Sequence, residues 1–124
     1  MIAGVGVDVV EIGRVGEAIR RHGEPFLRRI LHAREDLERA RTAEGVSYVA
    51  GLFAAKEAVM KALGTGMAGA AFRDIAVLKT ASGQPRVELD GSAATTARGL
   101  GVGDWHVSIT HSRTLAVAVA IATR

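Results

Sequence analysis

Between Val46 and Leu63 the larger apolar residues Val49, Leu52, Phe53, Val59, Met60 and Leu63 recur at three- and four-residue intervals, and Gly64 follows as a natural terminator. This spacing predicts a long helix, set between stretches of a different period. Ile2–Val10 alternates as a strand does: Ile2, Gly4, Gly6, Asp8 and Val10 share one face, and Ala3, Val5, Val7 and Val9 the other. The valine face reads as the core face. The opposite face carries two glycines and then a carboxylate, a pattern that marks close approach by another backbone or a ligand. Trp105–His111 and Leu115–Ile121 also alternate, joined by Ser112-Arg113-Thr114; in the second, Leu115, Val117, Val119 and Ile121 oppose four alanines.

The elements between are shorter. Val15, Ala18 and Ile19 form a helical stripe, and Arg14 and Arg21, two turns apart, share a side of that helix. Pro25 ends it or starts the next, which carries Phe26, Leu27, Ile30 and Leu31. Glu35–Arg41 reads as a short charged helix, loosely continued to Gly45, and Met67–Phe72 as a small-residue loop. Asp74–Lys79 and Arg86–Leu89 read as a hairpin about Ala81-Ser82-Gly83-Gln84, and Ser92 as the cap of a helix reaching about Arg98. A strand, several helices and then mostly strands predict an α+β fold, with an antiparallel sheet packed against a long helix and shorter helices. No linker, repeat or low-complexity tract divides the 124 residues, so one domain over 1–124 is expected.

Composition removes several classes of function. At 48% hydrophobic and 23% charged residues the chain is of folding composition. It has no cysteine, which excludes a disulfide scaffold, a thiol nucleophile and a thiolate zinc site. The longest uncharged runs, Gly45–Ala55 and Ala62–Phe72, hold 11 residues each; a membrane span needs about 18. Met1–Val7 is too short for a signal-peptide core and lacks a basic flank, so the cytoplasm is the expected compartment. Aromatic residues are 4%, too few for base-stacking platforms, and no nucleic-acid partner is expected. Of 13 arginines, eight lie between Arg14 and Arg41. Arginine favours an acidic partner, although Glu17, Glu24, Glu35, Asp36 and Glu38 dilute the cluster toward an ordinary mixed surface.

Glu57 and Lys61, four apart on the long helix, describe on their own a surface ion pair. Gly64-Thr65-Gly66 follows, either a plain C-terminal turn or a loop whose amides and hydroxyl approach a phosphate. It is not a Walker loop, because the helix precedes the glycines and no Lys-Ser/Thr follows them. A helix C-terminus disfavours an anion, and Lys61 in the last turn is placed to offset that. Asp8 stands on the glycine-lined strand face and His111 at a strand end. The histidines lack zinc spacing, whereas Asp8 with Glu57 suits a harder ion. Magnesium takes one or two carboxylates and completes its shell from water and substrate phosphates. Two carboxylates, a lysine, a histidine and a glycine loop together describe a magnesium–diphosphate site.

The run Ile2-Ala3-Gly4-Val5-Gly6-Val7-Asp8-Val9-Val10-Glu11, the Phe53–Ala58 segment FAAKEA with Lys61 and Gly64-Thr65-Gly66, and His106-Val107-Ser108-Ile109-Thr110-His111 carry a resemblance. In order and spacing they resemble the holo-acyl-carrier-protein synthase family, the small single-domain 4′-phosphopantetheinyl transferases, from about Met1 to Ile121. The resemblance implies transfer of 4′-phosphopantetheine from coenzyme A to a serine of an apo acyl carrier protein, with release of adenosine 3′,5′-bisphosphate. By the same resemblance Asp8 and Glu57 would hold Mg²⁺, with Mn²⁺ as an alternative. Glu57, or a water held at the metal, would accept the serine proton. Lys61 would neutralise the diphosphate, His111 would bind a coenzyme A phosphate, and Gly64, Thr65 and Gly66 would underlie the nucleotide. Arg14 and Arg21 would dock the acidic carrier, with Arg20 and Arg28 as weaker candidates. A homotrimer is implied, with each coenzyme A site between two subunits, an arrangement in which Asp8 and Glu57 could belong to different chains. Leu52 departs from the pattern, since many relatives have a basic, coenzyme A-binding residue there. Two other readings compete: an inactive coenzyme A-binding paralogue, and a basic adaptor for acidic proteins.

Overall fold

The computed structural model describes residues 1–124. In chain order the elements are β1 (Ile2–Glu11), α1 (Ile12–His22), α2 (Glu24–Ile30), α3 (Leu37–Ala40), α4 (Val46–Leu63), β2 (Ile75–Lys79), β3 (Pro85–Leu89), α5 (Gly91–Gly99), β4 (Asp104–His111) and β5 (Leu115–Thr123). Strands β1, β5 and β4 form an antiparallel sheet with β5 central, while β2 and β3 form a separate antiparallel hairpin. The fold is therefore α+β, as the order of periods predicts, with the sheet split in two.

Helix α4 is buried on nearly every side, with Val49, Leu52, Val59, Met60 and Leu63 all inside. A helix apolar or small all round belongs at the centre of a domain. Gly64 ends it in the left-handed conformation, φ 78°, its N–H bonding back to Met60 and Lys61 carbonyls. One side of α4 lies against the three-stranded sheet. Here the expected orientation of β1 is reversed: Val5, Val7 and Val9 are 58%, 53% and 58% exposed, and the Gly4, Gly6, Asp8 and Val10 face turns inward. The reason is steric. A Cβ on Gly6 would collide with the Ala58 carbonyl, and one on Gly4 with that of Ala62. Glycine lets β1 lie backbone to backbone on the helix, and Ala116, Ala118 and Ala120 of β5 continue the same thin surface.

On its other side α4 carries Lys56, wholly buried and paired with an equally buried Glu35 at 2.6 Å. Lys56 Nζ also donates to the Ile30 carbonyl at 2.6 Å. The Glu35 carboxylate accepts in addition from the amides of His32 at 2.8 Å and Val77 at 2.7 Å. Burial pushes the Lys56 ammonium below the ordinary lysine range, and Glu35 opposes the shift. A buried pair hydrogen-bonded in this way fixes α4 against the segment after α2 and against β2. Glu35 is thus not a surface diluent of the arginines, and the charged helix expected over Glu35–Arg41 shrinks to α3, capped by Asp36. Ser92 does not cap α5: its hydroxyl donates to Asp74 Oδ2 at 3.0 Å, while Asp90 precedes the helix.

Candidate active site

Because the glycine face of β1 lies on α4, Asp8 and Glu57 come to one place within one chain. Both line an open cleft of about 1120 Å³ between the end of β1, the start of α1, α4 and the β4–β5 turn. Arg14, Phe53 and Arg113 line it too. Lys61 Nζ donates to Asp8 Oδ1 at 3.1 Å and to the Val7 carbonyl at 3.0 Å. The helical Glu57–Lys61 ion pair is not formed; Lys61 bridges from α4 to β1 instead. The Asp8 side chain is 15% exposed and that of Lys61 54%, so the carboxylate is enclosed while the ammonium faces outward. Burial, and then the neighbouring Asp8 charge, push the Glu57 carboxyl above the usual carboxylate range, with Lys61 pulling the other way.

The other residues expected in the site are placed apart. Gly64, Thr65 and Gly66 lie exposed beyond α4, Gly66 at φ 55°, and line neither this cleft nor the one described next. His111, at the end of β4, lines a separate cleft of about 520 Å³ with Arg39, Tyr48, Leu52 and Lys79. Its Nε2 is 3.0 Å from the Ser47 carbonyl. Gly51 makes room for it, since a Cβ there would stand 2.8 Å from that nitrogen. A glycine inside a helix costs about 1 kcal/mol against alanine, so Gly51 is a signal in the sequence of close packing at that position. Arg14 reaches the carboxylate cleft, whereas Arg21 is exposed at the far end of α1. Arg20 is paired with Glu17, and Arg28 lies 3.8 Å from Glu24, so both weaker docking candidates have acidic neighbours of their own. Arg113, in the β4–β5 turn, brings a second arginine to the carboxylate cleft, and no motif in the sequence marks it. No helix is long and apolar enough to cross a membrane.

Comparison with known proteins identifies the family. A family model of the 4′-phosphopantetheinyl transferase superfamily matches residues 4–120. The holo-[acyl-carrier-protein] synthase of Solidesulfovibrio magneticus is 48% identical over 122 residues, 98% of each chain. Among solved structures, the holo-[acyl-carrier-protein] synthase of Neisseria meningitidis superposes with a TM-score of 0.91 at 33% identity, covering 100% of both chains. That of Bacillus anthracis, crystallised in complex with CoA (3′,5′-ADP), gives a TM-score of 0.80 at 32% identity over 98% of this chain and 96% of the other. The chain therefore belongs to the 4′-phosphopantetheinyl transferase superfamily and, within it, to the holo-[acyl-carrier-protein] synthase family of enzymes.

Proposed function

We propose that this chain moves 4′-phosphopantetheine from coenzyme A to a serine hydroxyl of an apo acyl carrier protein, with Mg²⁺ as cofactor and adenosine 3′,5′-bisphosphate as leaving product. The observation that carries this reading is the meeting of Asp8 and Glu57 on one cleft, with Lys61 bonded to Asp8. The donor set fits a hard cation. Both donors are carboxylates, their mutual repulsion contributes to the raised Glu57 pKa, and no third His, Asp or Glu completes a cage. That leaves room for substrate oxygens, as magnesium sites on phosphate compounds do. Asp8 and Glu57 would hold the ion; when bound, it neutralises the diphosphate and the charge developing on it.

The chain's own groups supply the rest. The serine oxygen forms a bond to the phosphorus bearing pantetheine as the bond from that phosphorus to the bridging oxygen breaks. Glu57, or a water held at the metal by Glu57 or Asp8, would accept the serine proton. Lys61 uses two of its N–H groups on Asp8 and Val7 and has another for the leaving phosphate. Arg14, at the rim of the cleft, and Arg21 meet the acidic carrier. Positioning and charge neutralisation carry most of such a transfer.

Coenzyme A would span the carboxylate cleft of one subunit and the His111 cleft of its neighbour in a homotrimer. Support comes from the uncovered valines of β1, which lie directly across from Ile121, Val119 and Val117 of β5. Asp8 and Glu57 sit on one chain's cleft, so in this arrangement the subunit boundary separates His111 from the carboxylates, not one carboxylate from the other. Retention of Asp8, Glu57, Lys61 and His111 together disfavours an inactive paralogue. The test is to incubate the protein with coenzyme A, Mg²⁺ and apo carrier and to weigh the carrier. A gain of one phosphopantetheine, lost on chelating the metal, is expected; coenzyme A binding with no mass gain would contradict the reading.

A further inference from the structure

This inference rests on the reading that coenzyme A reaches the His111 cleft. Coenzyme A carries two anionic groups: the diphosphate, where the reaction occurs, and a phosphate on the ribose 3′ oxygen. The carboxylate cleft and Lys61 answer the first. The second needs cations elsewhere, and the His111 cleft is lined by Arg39, Lys79 and His111 with no carboxylate among its lining residues.

Arg39 differs from the arginines around it. Arg34, Arg41 and Arg86 are each paired with a glutamate. Arg39 has no acidic partner, although two acids stand within three residues. Asp36 uses Oδ1 to accept the Arg39 backbone amide at 2.9 Å, and Glu38 pairs with Arg41. The Arg39 guanidinium instead lies over Tyr48, its Cζ 4.5 Å from the ring centroid. Tyr48 is itself held, its hydroxyl accepting from the Asp36 amide at 3.0 Å. The guanidinium thus rests on a fixed aromatic platform with its fork of side-chain N–H donors free, the geometry that suits a phosphate. His111 already uses Nε2 on Ser47, which leaves Arg39 as the richer donor in this cleft. Leu52, buried in the cleft wall, adds no charge.

We propose that Arg39, stacked on Tyr48, binds the 3′-phosphate of coenzyme A and makes the enzyme discriminate coenzyme A from 3′-dephospho-coenzyme A. The test measures KM for both donors in the wild type and in Arg39→Ala, Arg39→Lys and His111→Ala, with a thermal melt of each. The expected result is a KM for coenzyme A raised about tenfold to a hundredfold in Arg39→Ala, with the KM for the dephospho donor little changed. Arg39→Lys should recover part of the loss. Equal rises for both donors would reveal a merely structural role and overturn the proposal. An unchanged coenzyme A KM in Arg39→Ala, with a raised one in His111→Ala, would overturn the Arg39 assignment and leave the cleft as nucleotide site. No change in either variant would overturn both.

Discussion

In the proposed reaction Glu57 has the largest part, and its environment works against its charge. Burial and the Asp8 carboxylate both favour the protonated form, and a protonated carboxyl cannot hold a cation. On the proposed reading metal binding must expel the proton, so Mg²⁺ affinity should weaken as pH falls, beginning at a higher pH than for an ordinary glutamate. Asp8→Asn, which removes the repulsion but not the burial, should bring the Glu57 pKa down. Measuring Mg²⁺ binding against pH, with the Glu57 carboxyl followed by NMR, checks both statements; a metal affinity flat across the acid range would contradict them. Arg14 stands at the cleft rim and in solvent, where the proposed carrier would dock. Arg14→Glu should raise the carrier KM several-fold at low ionic strength, about tenfold at most, and the difference should shrink as salt is added. An unchanged carrier KM at low salt would remove Arg14 from the docking surface.

Between elements, the decisive contact is β1 against α4, and it depends on residues that lack side chains. Gly6→Ala would drive a methyl into the Ala58 carbonyl, which backbone cannot yield cheaply. The strand would have to lift, at a cost of about 1–3 kcal/mol or more, and Asp8 would leave Glu57. A lowered Tm together with weakened metal binding is expected, measured by thermal unfolding and calorimetry; an unperturbed protein would contradict the packing described. The same contact explains where reading the sequence fails. A period of two assigns residues to faces but does not say which face is inside. Valine was the natural core residue of β1, yet a helix at close range selects glycine and alanine. The glycine-and-carboxylate face nevertheless announced a close approach, and that part was legible. Glu35 was not: a carboxylate among arginines reads as surface until Lys56, 21 residues on, is seen to meet it. Asp8, Glu57 and Lys61 were legible as a set from residue types that suit a metal–diphosphate site, and the fold brings them together. The distance of His111 and the Gly64–Gly66 loop from the carboxylate cleft was not, since residue spacing does not say where the fold carries each of them.

For the whole molecule, the unsettled surface is the outer face of the three-stranded sheet. Val5, Val7 and Val9 are more than half exposed in the single chain, beside the partly buried Val117, Val119 and Ile121. Burying a valine fully stabilises by about 1.5 kcal/mol or more, so covering this row would give a firm association. In the trimer reading Val7→Lys should dissociate the assembly in sedimentation and cut activity with it, by about a hundredfold or more if the His111 cleft of a neighbour completes the site. An active monomer would contradict that arrangement while leaving the carboxylate site standing. The most direct measurement concerns the carboxylates themselves. Crystals of the protein with coenzyme A and Mn²⁺ in place of Mg²⁺ should show the anomalous signal of the metal between Asp8 and Glu57 of the same subunit, touching the diphosphate. A metal bound elsewhere, or held by only one of these two carboxylates, would contradict the account.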